Sequence, residues 1–376
     1  MKIGLFIFPL HHSHGCILQT FALYTVLCNQ GHQVTIIDKQ PDKLGFGGNL
    51  KQITKRFILK YILRKYKGDL FYLGYDSPKL MSSLTPFIRT NFGKDLISSS
   101  SHNFLNCIDW SRFQAIIVGS DQTWRPKYVP NIYNFFLDFV PAQQSLIRMS
   151  YAASMGTDTW EYTNKETQIC KSLITKFKAV SVREKSSIIL CKKHLNVTAE
   201  HVLDPTLLLK ANDYSKLIVE DTTIPKNSVC YYLLDSEKNK LNVVNRISTD
   251  LHLTKVRINK ETENYLAKTT DRIPPTIDRW ISGFIRSNFI VADSFHAMVF
   301  AIIFNKPFII IGNKKRGLSR FISLLTILDL SERLIFSESD LTNGLLNKKI
   351  DWDHVNSLLD AQRIISINYL KNNLAQ

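Results

Sequence analysis

The run from Phe289 to Gly312, FIVADSFHAMVFAIIFNKPFIIIG, constrains the fold more than any other stretch. The apolar FIVA, ending at Asp293, reads as a buried strand. Ser294, Phe295 and His296 read as a turn, residues 297–304 as a short buried helix, and Pro307 to Ile311 as the next strand. Strand, turn, helix, strand is a parallel βαβ unit, and such sheets gather ligands at the carboxyl ends of their strands. Asp293, Ser294 and His296 are therefore expected at an edge suited to chemistry. The turn has a second reading, with Asp293 or Ser294 as a helix N-cap and His296 as a hydrogen-bonded core histidine. The residues of the turn leave both open.

The rest of the chain alternates in the same way. KIGLFIF (2–8) reads as a strand, Gly15 to Asn29 as a helix ended by Gly31, and QVTIID (33–38) as the following strand. This opening is Rossmann-like, but its turn HHSHGC lacks GxGxxG, so dinucleotide binding is not supported. Further strands are expected at 113–121, 148–154 and 179–184, and again at 228–234 and 253–259. A last helix is expected at 353–372. Asp204-Pro205 is the expected domain boundary, because proline ends a strand and fixes a bend. The expected division is residues 1–204, residues 205–345 and a C-terminal helix within 346–376.

At 376 residues the chain exceeds what one core usually supports, so two domains are the default. The six cysteines show neither CxxC nor Cys/His ligand spacing, which reads as reduced thiols in a cytoplasmic protein. No apolar run reaches a membrane span, and Met1 to Pro9 reads as a strand and not a secretory leader. The net charge of +16 asks for an anionic partner. No nucleic-acid motif accompanies it. The densest basic segment, residues 51–68, reads either as a solvated helix face or as a peripheral contact with an anionic membrane.

Several segments together resemble the polysaccharide pyruvyl transferase family: MKIGLFIFPLHHSHGCILQTFALYTVL at the start, AIIVGSDQTWRP (115–126), VSVREKSS (180–187), VLDPTLLL (202–209), the opening βαβ unit, and GNKKRGLSRFISLL (312–325). The resemblance runs from residue 1 to about 330. It implies an α/β fold of two Rossmann-like domains facing a cleft, a GT-B-like layout. It also implies transfer of the enolpyruvyl carbons of phosphoenolpyruvate, as donor substrate and with no further cofactor, onto sugar hydroxyls as a ketal. The acceptor would be a nucleotide- or lipid-linked sugar of a surface polysaccharide. The alternatives are a GT-B glycosyltransferase using a nucleotide sugar and a non-enzymatic basic binding protein.

Holding a carboxylate and a phosphate needs forked cations, which favours arginine over lysine. Arg183 ends an apolar strand, where it meets either the cleft or, in an ion pair or a surface contact, neighbouring Glu184 or solvent; resemblance to the family's VRE segment implies a catalytic role for it. Arg316 and Arg320 follow a Gly-flanked loop leading into a helix, a favourable place for phosphate. His296 is the expected general acid/base, with Asp293 either orienting it or capping the helix. Some relatives carry arginine where this chain has Ser294. In the first lobe, many relatives carry Asn-Tyr-Gly where this chain has Ser-His-Gly. Gly15 is expected on a loop facing substrate with Gln19 on the first turn of the helix that follows, and His11, His12 and His14 lack the carboxylate pattern of a metal site, so no metal is expected. Asp121 and Gln122 are candidates for sugar hydroxyls with Trp124 stacked on the ring, or else for an Asx turn beside a buried tryptophan.

Overall fold

A computed structural model of the chain describes residues 1–42, 46–63, 65, 67, 78–218, 224–235, 237–262 and 264–375. Strands β1 (Lys2–Phe6), β2 (Gln33–Lys39), β3 (Leu96–Ser99), β4 (Ala115–Val118) and β5 (Ile147–Ser150) form one sheet in the order β3-β2-β1-β4-β5. Short strands β6 (Ser181–Val182) and β7 (Glu200–His201) pair with each other and are bridged to the first sheet through Met149–Ala179 and Ala153–Val182. The second sheet holds β8 (Ser228–Tyr232), β9 (Thr254–Arg257), β10 (Phe289–Ala292), β11 (Phe308–Ile311) and β12 (Leu334–Ile335), in the order β12-β11-β10-β8-β9. Every pairing is parallel.

The sequence dictates this directly. AIIV of β4, FIVA of β10 and FIII of β11 are buried at every residue. A parallel sheet covered by helices on both faces needs such unbroken apolar runs. Strand order reverses between β1 and β4 in the first sheet and between β8 and β10 in the second. Loops diverge at these switch points and leave a crevice at the carboxyl ends of the strands.

The two lobes share an apolar cluster that includes Ile3 and Leu5 of β1, Ile290 and Ala292 of β10, and Leu370 near the C-terminus. The last helix, Trp352–Leu374, packs back on the first lobe. Tyr369 Oη donates to the Ser150 carbonyl at 2.8 Å, and Arg363 Nε to the Leu207 carbonyl at 2.6 Å. The basic segment 51–68 is helical over Phe46–Phe57 and Ile58–Ile62, and its Arg64 lies outside the described residues. Among the described residues no helix is long and apolar enough to cross a membrane.

One polar contact ties the lobes at the start of the helix His14–Asn29. His14 Nε2 donates to the Pro275 carbonyl at 2.8 Å, and its ring stacks on Trp280 at 5.0 Å. Burial outweighs that hydrogen bond and lowers the His14 pKa to about 4. The unfolded chain, titrating near 6.5, then binds the extra proton first. Stability is full above about pH 6.5 and falls by about 3 kcal/mol on the way to about pH 4. Urea denaturation across that range should show this acid loss in the natural chain and a flatter profile in His14→Gln.

Candidate active site

Both switch points open on one cleft of about 730 Å³. The first lobe contributes His11, His12 and His14 after β1 and Asp121 and Gln122 after β4. The second contributes Asp293, Ser294 and His296 after β10 and Arg316 and Arg320 after β11. Among the described residues no cluster of three or more His, Cys, Asp or Glu is placed to hold a metal ion.

The floor is a buried chain of charges. The side chain of Arg183 is 1% exposed, and its Nη1 reaches Asp204 Oδ2 at 2.5 Å and its Nη2 reaches Asp121 Oδ1 at 3.5 Å. Glu184 turns away, accepting from the backbone N–H of Met155 and Gly156 and from the Ser154 and Ser187 hydroxyls. Asp204 is held by the Thr206 N–H and hydroxyl as well. Burial by itself would raise the pKa of Asp204; His296, Arg183 and Thr206 outweigh it and hold the carboxyl well below the usual range. Asp121 behaves likewise: burial raises it, and Arg183, His296 and Arg320 bring it below its ordinary value. Asp121 also sits at φ 79°, an uncommon conformation for a residue with a side chain, and its carboxylate accepts the Gln122 N–H at 2.8 Å.

Above that floor lies a second guanidinium, that of Arg320, with few polar partners. Two guanidinium groups lie over the Phe295 ring, Arg183 at 4.7 Å and Arg320 at 5.7 Å from its centre. Burial and then repulsion by Arg183 bring the Arg320 pKa down to about 10, so it stays cationic at neutral pH. Its guanidinium makes a 3.4 Å contact from Nη2 to the Arg316 carbonyl, and its Nε has no partner. The helix Phe295–Ile303 points its first turn into the same space, with Ser294 at the N-cap making no side-chain cap bond. Free N–H groups and an under-partnered guanidinium favour an anion there.

His296 lies on that first turn. Its Nε2 stands 3.6 Å from Asp204 Oδ2, within ion-pair range but too long for a hydrogen bond, and Nε2 has no hydrogen-bond partner. The helix starts at Phe295, ahead of the expected 297, because the whole segment is buried and its apolar run carries no periodicity to mark the start.

With this geometry in place, the comparisons with known proteins are decisive for family. Residues 14–315 match the family model described as polysaccharide pyruvyl transferase. The chain belongs to the polysaccharide pyruvyl transferase family. No curated protein sequence matches it. Among solved structures, S. aureus MnaA with UDP is 13% identical, covering 100% of this chain and 98% of that one at a TM-score of 0.51. A putative UDP-N-acetylglucosamine 2-epimerase from Listeria monocytogenes is 11% identical over 99% and 96%, at 0.52. A glycosyltransferase from Rickettsia africae is 12% identical over 99% and 97%, at 0.50. At these identities the likeness is one of fold, the two-lobed GT-B arrangement.

Several expectations for this family member need correction. Gly15 does not sit on an open loop: a Cβ there would lie 2.1 Å from His296 Nδ1, so the glycine lets the two lobes bring His296 against the first helix. Gln19 is buried, donating to the Cys16 carbonyl and the Thr20 hydroxyl, and lines no cleft. Trp124 is fully buried, stacked on Phe136 with Nε1 donating to the Phe135 carbonyl, so it cannot stack on a sugar. Asp293 neither orients His296 nor caps its helix; it accepts the Leu234 N–H at 2.8 Å and the Lys240 ammonium at 2.7 Å. Gln122 lines the cleft with its Oε1 held by Arg125 at 3.0 Å. Arg316 is more open, with Nε 3.9 Å from Asp235.

Asp204 is the residue that sequence reasoning passed over as a site. In the sequence Asp204 reads as the bend before Pro205, and the signal of more is its place in VLDPTLLL, within the family resemblance. Asp204→Asn should cost about 3–5 kcal/mol, because it leaves Arg183 buried with half its compensation gone. Urea unfolding at neutral pH measures this; a loss below about 1 kcal/mol would be the surface value and would contradict the account. Gly15→Ala should displace the His296 ring and lower turnover while the chain remains folded, and Gly15→Ser should do the same.

Proposed function

We propose that this chain transfers the enolpyruvyl carbons of phosphoenolpyruvate onto two hydroxyls of a sugar, forming a pyruvate ketal during assembly of a surface polysaccharide. The observation that carries the reading is Arg320, a buried guanidinium with one long polar contact, facing a cleft that also holds His296. A substrate with both a carboxylate and a phosphate supplies the charge that Arg320, Arg316 and the first turn of the helix at Phe295 lack. Family membership agrees with that substrate.

In this reading His296, beside Asp204, gives a proton to the methylene carbon of phosphoenolpyruvate. The cation left at C2 is captured by the first sugar hydroxyl, whose proton returns to His296. The bond from C2 to the phosphate oxygen then breaks, phosphate departs against Arg320, and the second hydroxyl bonds to C2. Its proton leaves with the phosphate, so the balance is one ketal and one phosphate per donor. Arg183 is a positioning residue, fixing Asp204 and Asp121; Asp121 and Gln122 face the acceptor side. No further cofactor enters this scheme. The acceptor sugar is carried on a nucleotide or a lipid, at the cytoplasmic side.

A second reading, sugar transfer from a nucleotide sugar, draws on the fold alone, since the MnaA structure is that of a complex with UDP. Doubly labelled phosphoenolpyruvate, with carbon and phosphorus isotopes, tests the two. Incubated with a set of sugar diphosphates, it should yield labelled ketal and labelled phosphate in equal amounts. Release of UDP from UDP-glucose without pyruvyl transfer would establish the second reading. His296→Gln should lower kcat by at least about 100-fold with little change in KM for phosphoenolpyruvate. Arg320→Ala should raise that KM instead.

A further inference from the structure

Beside the cleft lies a second cavity, of about 950 Å³, that none of the proposed chemistry uses. The two are adjacent, with Asn259, Lys260, Pro274 and Pro275 in the walls of both. The second cavity is built from the 256–279 stretch of the second lobe together with Lys65 and Lys67 of the first. The Lys67 N–H donates to the Leu266 carbonyl at 2.7 Å, so the basic segment is tied to the cavity wall.

Its charge is one-sided. Lys65, Lys67, Arg257, Lys260, Lys268 and Arg279 line it, against Glu261 and Asp271. Both acids have local partners: Glu261 Oε2 accepts from Asn264 at 3.0 Å, and Asp271 Oδ1 from the Thr270 hydroxyl at 3.5 Å. Arg257 reaches Glu261 at 4.0 Å. Among the described residues the other five cations have no carboxylate within ion-pair distance. A concave wall with several uncompensated cations concentrates anions, and lysine suits phosphate as a point charge. Among the described residues no aromatic side chain lines the cavity, and those residues offer no platform for a sugar ring or a nucleobase.

We propose that this cavity seats the diphosphate through which the acceptor sugar is carried, while the sugar itself reaches into the cleft. The assignment rests on the pyruvyl-transfer reading of the cleft. Diphosphate is the group that nucleotide-linked and lipid-linked sugars share. The residues just before Lys65 bear on which of the two is used. Phe57, Ile58, Tyr61, Ile62 and Leu63 are between 41% and 66% exposed, with Lys51 and Lys55 exposed on the preceding turns. Such a surface, apolar side chains beside ammonium groups, meets a lipid tail or its bilayer better than it meets water.

The test is calorimetric titration of the full chain with inorganic pyrophosphate at fixed ionic strength, beside phosphoenolpyruvate. Lys268→Ala with Arg279→Ala removes two cations that lie outside the cleft. The expected result is saturable pyrophosphate binding that the double variant weakens about tenfold or more, with phosphoenolpyruvate affinity unchanged. Unchanged pyrophosphate affinity in the double variant, or competition between pyrophosphate and phosphoenolpyruvate, would overturn the assignment. UDP-glucose and farnesyl diphosphate form two further arms, and each diphosphate that binds should show the same drop. The tighter of them identifies the carrier, and failure of both to bind would overturn the proposal. If pyrophosphate behaves as expected while phosphoenolpyruvate never binds, the cavity assignment stands and the pyruvyl reading falls.

Discussion

Arg183 sits with 1% of its side chain exposed, and a guanidinium at that depth requires carboxylates around it. Asp204 and Asp121 supply them, one from the segment that leaves the first lobe and the other from the turn after β4. Their commitment to Arg183 shapes the rest of the site. Both carboxylates are held ionised; Asp121 offsets the charge of Arg320 only in part, while burial and repulsion from Arg183 act against that second guanidinium. An incoming anion relieves that repulsion. The buried pair thus fixes the geometry and leaves the anion-binding capacity to its neighbour.

The lobes meet at points where a side chain would not fit. Gly15 admits the ring of His296, and Gly317, at φ 88°, brings its Cα so close to the Gly156 carbonyl that a Cβ would lie 1.9 Å from it. Arg125 Nη1 reaches the Arg316 carbonyl at 3.4 Å across the same seam, and Ser323 Oγ accepts the Lys185 N–H at 3.1 Å. His296 belongs by sequence to the second lobe, yet its charge partner Asp204 and its steric partner Gly15 come from earlier in the chain. A site divided in this way exists only when the lobes are together.

Much of the fold was legible because buried parallel strands need unbroken apolar runs, and FIVA, AIIV and FIII are such runs. The turn after β10 was legible as a cleft element for the same reason. What a single sequence does not carry is partner choice at long range. Arg183 has Glu184 beside it and pairs with Asp204 and Asp121 instead; nothing local marks that preference. Asp293 precedes His296 by three residues, but the turn of β10 into its helix sends the carboxylate toward Lys240. Trp124 and Gln19 follow polar turns, and their burial is decided by Phe135, Phe136 and the packing of the first helix. Asp204 was visible as a bend and invisible as a charge, because its role depends on what the two lobes bring to it.

On the proposed function, Arg320 is the cation that meets the donor's anionic groups. The most direct measurement is the affinity for phosphoenolpyruvate, compared with UDP and inorganic phosphate at equal ionic strength, in the natural chain and in Arg320→Ala. Phosphoenolpyruvate should bind more tightly than either comparator and lose at least about tenfold in affinity when Arg320 is removed. Tighter binding of UDP, or a phosphoenolpyruvate affinity that does not change with Arg320, would contradict the proposal.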